Sequence, residues 1–388
     1  MVVSNILTSV TCISFFQLAL IAYFNPGKVN PVANNWFGLF SFSAGCMMLN
    51  AFIYQAGAEA NYKELIAFNE LSRFLIAPAL FLSVRHFTSP DKGLKALDYL
   101  HFIPFLLFLI YMLPYLIVTN YNLSNTSGYL PGFIKLWWPF LLPATLNFQL
   151  LCYWAMAYNN LKQHQKNIRL INAATNEINL KWLQYLLYGI ALMLIISIAG
   201  SVFKPGWIAF YSPIFYLAGV LITGYFLIAQ KEVYPFEQPE LEEISEIIRP
   251  TNNAGTKTVR FPKDKLDQLK TQLGQLMTTD KPYLDNELSL PDLAKLMDIS
   301  THDLSFVLNE GFGLSFFGFV NSYRITEVKQ LMLSGQYKQL NMLGIAYSAG
   351  FNSKTTFNTA FKKETGLSPT QFIQTLKADS SQVTTVKR

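Results

Sequence analysis

Charged residues are scarce in this sequence: only 14% of its 388 residues are Asp, Glu, Lys or Arg, against roughly 25% in soluble proteins. Its three cysteines all lie within apolar runs, and its four histidines are isolated from one another. We therefore expect no disulfide framework, no metal site and no cofactor. Signature motifs such as GxSxG, HExxH, GxGxxG and the P-loop are also missing, so we expect no enzymatic activity.

Long apolar stretches dominate the sequence before residue 230. Each is about 20 residues long, which is enough to cross ~30 Å of hydrocarbon. The seven stretches lie at 5–24, 35–56, 67–86, 99–119, 136–157, 182–202 and 207–229. The first has no basic segment before it, which favours a retained span over a cleaved signal peptide. The sequence predicts a bundle of seven transmembrane helices over residues 1–230.

The basic residues of the short loops predict how this bundle is oriented. The third loop contains Arg85, Lys92 and Lys95, and the fifth contains Lys162, Lys166, Arg169 and Lys181. The fourth loop, residues 120–134, contains no Lys or Arg. Because basic loops stay in the cytoplasm, we expect the N-terminus to lie outside and residue 230 to lie inside.

A few polar side chains fall within the apolar stretches, and we consider them a candidate signal pocket. They are Asn50, Glu70, Arg73, Asn147 and Gln149. Ionisable groups at membrane depth are costly and often functional. A structural interpretation is equally open: Glu70 and Arg73 are three residues apart on one helix face and can form an ordinary ion pair, and the amides can link neighbouring helices.

The composition changes after residue 230, where a polar, acidic linker is predicted over 231–260. Between Glu232 and Glu246 there are six acidic residues and no basic one. Apolar residues from Leu241 to Ile248 share one helical face, which predicts a short helix that either mediates dimerisation, docks elsewhere or packs on its own domain. Residues 261–378 have helical periodicity throughout, and residues 379–388 are expected to form a flexible tail.

Two segments of the helical region repeat one another at an offset of 53 residues. The first has Ser300, Leu304, Leu308 and Gly313, and the second has Ser353, Phe357, Phe361 and Gly366. Serine before a helix and glycine after it are typical end signals. Each segment therefore predicts a helix, a turn and a second helix, an arrangement that often places the second helix in the DNA major groove. The fold class expected is all-α, with a transmembrane bundle followed by a soluble tandem helix-turn-helix domain.

The second repeat carries an ordered set of residues that is specific to one family. The set runs from Ala346-Tyr347-Ser348-Ala349-Gly350-Phe351 through Ser353, Phe357, Phe361-Lys362-Lys363, Gly366 and Ser368-Pro369. On this basis residues 282–375 resemble the DNA-binding domain of the AraC/XylS family of bacterial transcription regulators. The apolar half resembles the sensor regions of membrane-anchored members more weakly. The resemblance implies a bacterial inner-membrane protein that binds double-stranded DNA, with the lipid bilayer as its other partner.

The resemblance also implies which residues face DNA. They are Thr301, His302, Ser305 and Asn309 on the first recognition helix, with Phe306 also facing outward, and Lys354, Thr355, Asn358, Thr359 and Lys362 on the second. The first helix has no basic residue, so the second is expected to contribute more of the binding, chiefly through phosphate contacts. We expect a homodimer on DNA that responds to an unknown small-molecule or protein signal. The alternative function is a receptor-like or transporter-like bundle whose helical tail binds a protein partner.

Overall fold

The computed structural model describes residues 2–376 apart from several short gaps. The residues outside the description are 1, 26, 28, 91–92, 94–95, 118–131, 174–177, 204–205, 249–260, 335–339 and 377–388. Several of the predictions therefore fall outside the described residues. They concern most of the fourth loop, Lys92 and Lys95 of the third loop, the end of the predicted linker and the tail 379–388. The chain divides into two compact units, residues 1–164 with 180–233 and residues 165–179 with 234–388. Within the described residues the structure is helical, with one isolated bridge between Asn172 and Ser289.

The first unit is built from long apolar helices. They are α1 (Val2–Phe24), α2 (Pro31–Gln55), α3 (Lys63–Thr88), a 3₁₀ helix (Ala96–Phe102), α4 (Ile103–Ile117), α5 (Gly132–Ile171), α6 (Lys181–Phe203) and α7 (Gly206–Ala229). Among the described residues, six helical segments are long and apolar enough to cross a membrane. The predicted span at 136–157 falls on α5, and the predicted count of seven is not confirmed.

Helix α5 is much longer than the span predicted within it. Its 40 residues correspond to a length of about 60 Å. Lys162, Lys166 and Arg169, which the sequence analysis assigned to a loop, lie on this helix instead. A charged end does not stop a helix in water, because Lys, Arg, Gln and Leu are all good helix formers. Residues 165–171 of α5 belong to the second unit.

Polar hydrogen bonds connect the helices of the first unit. The Thr11 hydroxyl of α1 donates to the carbonyl of Pro213 on α7, at 3.1 Å. The Ser83 hydroxyl of α3 donates to the carbonyl of Ala33 on α2, at 2.9 Å. Between apolar helices such bonds contribute about 0.6 kcal/mol on average, so they orient the helices more than they stabilise the bundle.

The second unit contains the two predicted helix-turn-helix segments. Its helices are α8 (Gln238–Ile248), α9 (Lys263–Thr279), a short 3₁₀ turn (Pro282–Leu284), α10 (Leu290–Leu296), α11 (Thr301–Phe306), α12 (Phe316–Leu333), α13 (Met342–Ser348), α14 (Lys354–Thr365) and α15 (369–376). Helix α11 continues as a π-helical turn over Val307–Gly311. The helical repeat predicted from the sequence is therefore confirmed, with α10–α11 and α13–α14 as its two copies.

The same end signals frame both second helices of the repeat. The Ser300 hydroxyl accepts a hydrogen bond from the amide of Asp303 at 3.1 Å, and the Ser353 hydroxyl accepts one from the amide of Thr356 at 3.4 Å. Gly366 ends α14 in the left-handed conformation, with a φ of 75°. These caps satisfy backbone groups that a helix leaves unpaired at its ends, which explains why serine and glycine recur at equal spacing.

The turn between α13 and α14 is pressed against the 3₁₀ turn that precedes the first repeat. Gly350 has a φ of 87°, and a Cβ atom there would come within 2.2 Å of the carbonyl oxygen of Tyr283. Arg324 of α12 is buried beside it and donates to the carbonyl oxygens of Tyr283 and Asp285, at 2.7 and 2.6 Å. Its guanidinium also lies over the ring of Phe351, 5.8 Å from the centroid. These contacts join the second helix-turn-helix to the segment before the first.

We expect Gly350→Ala to destabilise the second unit by about 3 kcal/mol or more, because left-handed strain adds to the overlap with a backbone carbonyl. Gly366→Ala is the matched control, since that glycine also has a positive φ but has no atom within 4 Å of the added Cβ. The control should lose only the left-handed strain, about 1–2 kcal/mol. Both losses of stability can be measured by urea unfolding of the full chain in lipid nanodiscs, with hydrogen exchange in the second unit as the readout. Equal losses would contradict the close contact at Gly350.

Candidate nucleic-acid interface

Helix α14 has one buried apolar face and one exposed polar face. Phe357 and Phe361 are buried in a core with Ile345, Ala346 and Phe351. Burying a phenylalanine fully contributes about 1.5–3 kcal/mol, so these rings fix which side of the helix faces outward. The exposed side chains are Lys354, Thr355, Asn358, Thr359 and Lys362. All five residues predicted to face DNA on the second recognition helix thus lie on its accessible surface.

The first recognition helix is less open. Ser305 and His302 are partly exposed and Asn309 is exposed, but Thr301 is buried, with a relative exposure of 4%. Thr301 was expected to face outward but is not exposed in this structure, where its backbone amide donates to Glu243, and its contact with DNA stays a prediction. Phe306, which was also expected to face outward, is partly buried, and its ring packs edge-on against Phe261, 5.8 Å between centroids.

Charge differs between the two recognition helices in the way the sequence predicted. Helix α14 carries Lys354, Lys362 and Lys363 and a single acid, Glu364, and all four are exposed. Helix α11 and its π-helical turn contain no Lys or Arg and two acids, Asp303 and Glu310. Lysines on an exposed helix face suit contact with phosphates, whereas acidic residues disfavour it. The electrostatic attraction for a nucleic acid is therefore concentrated on α14.

Comparison with known families identifies the repeat. Residues 293–375 match a family model described as a helix-turn-helix domain. The match is to the AraC type of helix-turn-helix domain, which binds DNA in transcription regulators, and it starts within α10 and ends within α15. No curated protein and no solved structure matches the chain.

Two long-range contacts of this domain could not be predicted from the sequence. The role of the buried Arg324 could not be predicted from local periodicity, because its partners Tyr283 and Asp285 lie 41 and 39 residues away in the chain. The acidic helix α8 was predicted as a helix with three alternative roles. The structure places it on its own domain, with Leu241 and Ile244 buried.

In the first unit the structure brings together several of the polar residues proposed as a signal pocket. Glu70 forms an ion pair with Arg73, 2.8 Å apart, and accepts a hydrogen bond from the Asn50 amide at 3.0 Å. Gln149 is buried and donates to the carbonyl of Phe74 at 3.3 Å, and Asn147 is partly buried on the same helix, α5.

Asn69 completes this network, although the sequence analysis did not select it. Its side-chain amide donates to the Asn50 side chain at 2.8 Å. The signal that could have identified it is its position immediately before Glu70 in an apolar helix. The ion pair and the amide contacts join these side chains to one another, while the buried Nε of Arg73 has no hydrogen-bond partner among the described residues. This arrangement fits the structural interpretation as readily as a binding role. Over the described part of the chain, no group of three or more His, Cys, Asp or Glu side chains is arranged to hold a metal ion.

Proposed function

We propose that this protein is a membrane-anchored transcription regulator whose C-terminal helix-turn-helix domain binds DNA in a sequence-specific manner. The observation that carries the proposal is the exposed face of α14, where two lysines and three uncharged polar residues lie opposite a buried phenylalanine core. The domain match and the apolar helices of the first unit support it.

In this proposal α11 and α14 enter successive major grooves on one side of the duplex, about one helical turn apart. Lys354 and Lys362 contact phosphates, while Asn358, Thr355 and Thr359 lie where base edges are read. The first helix contributes through His302, Ser305, Asn309 and the start of the helix at Thr301. Because α11 lacks basic residues, it contributes less of the affinity.

Control of this binding by a signal at the membrane is the second part of the proposal. The polar network around Asn50 and Glu70 is the candidate receiver, with a small molecule or a protein as the signal. A ligand changes the output only if it binds two conformations of the bundle unequally. We include a homodimer on DNA, because a change in the distance between two anchored copies would change how they bind one duplex.

Reversing the charge of Lys354 and Lys362 together should weaken DNA binding on every sequence. Each lost phosphate contact also makes the salt dependence less steep: the negative slope of log affinity against log salt decreases in magnitude by about one. Binding of the full-length protein in nanodiscs to a fluorescent pool of random-sequence duplexes, measured across a salt series, tests this.

The matched control is reversal of Lys263 and Lys265, which are exposed on α9 and distant in sequence from the repeat. The control should keep the salt slope of the unaltered protein. If the unaltered protein does not bind DNA at any salt concentration, the alternative function, a receptor-like or transporter-like bundle whose tail binds a protein, replaces this one.

The proposed orientation has a test of its own. A fluorescent protein that matures only in the cytoplasm, fused after residue 388, should be bright, whereas alkaline phosphatase at the same position should be inactive. Fusions at the N-terminus should give the opposite pattern, as the basic loops predict. An active phosphatase at the C-terminus would place the DNA-binding domain outside the cell and contradict the function.

A further inference from the structure

The acidic helix α8 packs on the first helix-turn-helix of the same unit. Glu240, Glu243 and Glu246 follow one another at intervals of three residues, so they lie along one side of the helix. Leu241 and Ile244 are buried, with relative exposures of 6% and 0%. Glu240 and Glu243 are partly buried, whereas Glu242 and Glu246 are exposed. The helix therefore presents a mixed acidic and apolar face to the domain.

Each of the three acids contacts the part of the first helix-turn-helix that leads into α11. The Glu240 carboxylate pairs with the Lys295 ammonium of α10 at 2.5 Å. Glu243 accepts a hydrogen bond from the backbone amide of Thr301 at 2.9 Å. Glu246 lies 3.9 Å from Nε2 of His302. Thr301 and His302 open the recognition helix, where side chains of a bound helix-turn-helix reach the base edges.

These contacts oppose DNA binding in two ways. The acids occupy Lys295, His302 and a backbone amide, which are the groups at this end that could interact with a phosphate or a base. They also place three negative charges where the polyanionic duplex would lie, and like charges in close apposition repel. The Lys295 ammonium donates a hydrogen bond to the Glu240 carboxylate, and this bond raises the pKa of Lys295.

The attachment of α8 is weak enough to be reversible. The helix has 11 residues, and a helix of this length is marginal in water on its own. The side chains of Lys295 and Glu246 are 69% and 64% exposed, and ion pairs this exposed contribute little. Only Leu241 and Ile244 of α8 are deeply buried. A ligand that competes for the same surface therefore needs little binding free energy to release the helix.

A second element of the same unit holds the far end of α8. The side-chain amide of Asn167 donates to the carbonyl of Ile248 at 3.4 Å. Asn167 lies on the last turns of α5, which belong to the second unit, while the earlier turns of the same helix belong to the first.

We propose that α8 is an autoinhibitory element that covers the start of α11 and must leave before the first helix-turn-helix can bind DNA. This inference rests on the proposed function and specifies how that function is regulated. Release of α8 converts a protein that binds only through α14 into one that uses both recognition helices. Helix α8 thus competes with DNA for the start of α11.

The test compares two variants of the full-length protein in nanodiscs, using the pool of random-sequence duplexes as the probe. The first is Glu240→Gln with Glu243→Gln and Glu246→Gln, which removes all three contacts. The charge-matched control is Glu242→Gln with Asp264→Asn and Asp267→Asn, three exposed acids of the same unit. Both variants lose three negative charges, so any difference between them reports on the position of α8.

We expect the first variant to bind DNA about tenfold more tightly than the control, within the usual range of coupling between two sites. In the unaltered protein, saturation with DNA should also speed amide exchange over residues 238–248. Equal affinities of the two variants, together with unchanged exchange, would overturn autoinhibition while leaving the DNA-binding function intact. If neither variant binds DNA, the proposed function itself is wrong, and the inference fails with it.

Discussion

The architecture of the C-terminal unit depends on one buried guanidinium. Arg324 is 1% exposed, donates to two backbone carbonyls of the turn before the first repeat, and lies over the ring of Phe351 at the turn of the second. Burial lowers the pKa of Arg324 to about 10, so the side chain remains charged near neutral pH. A buried charge without partners would be strongly destabilising, and the two carbonyls can satisfy it only while both turns stay in place. The position of the second helix-turn-helix relative to the segment before the first follows from this contact.

Local signals were sufficient to predict most of the helical repeat. Ser300, Ser353 and Gly366 mark helix ends through bonds and backbone angles confined to a few residues, and the paired apolar positions define the buried faces. The second helices predicted between Ser300 and Gly313 and between Ser353 and Gly366 match α11 with its π-helical turn and α14. The outward face of α14 followed from the same periodicity, because Phe357 and Phe361 must be buried together.

Contacts between distant parts of the chain could not be predicted in this way. Periodicity shows that α8 has an apolar face but not which surface it covers, and only the folded unit places Glu243 at the amide of Thr301. Thr301 is also in contact with this distant helix, so its burial could not be predicted from local periodicity. The extension of α5 beyond the predicted span could not be read from its basic residues. A cluster of lysines after an apolar stretch indicates a membrane boundary, but it gives no information on where the helix ends. Composition alone places the whole of the second unit after residue 230. In the structure, residues 165–179 also belong to that unit.

Together these features describe a DNA-binding domain whose two halves are unequally available. The exposed lysines of α14 provide attraction, and the acids of α8 restrain α11. The proposed function requires the chain to bind DNA while it remains in the membrane. Crosslinking the full-length protein to DNA in living cells, isolating the membrane fraction and sequencing the attached DNA tests this most directly. The account predicts discrete enriched sites in that fraction, which charge reversal at Lys354 and Lys362 removes. DNA recovered no more often than from cells lacking the protein would contradict it.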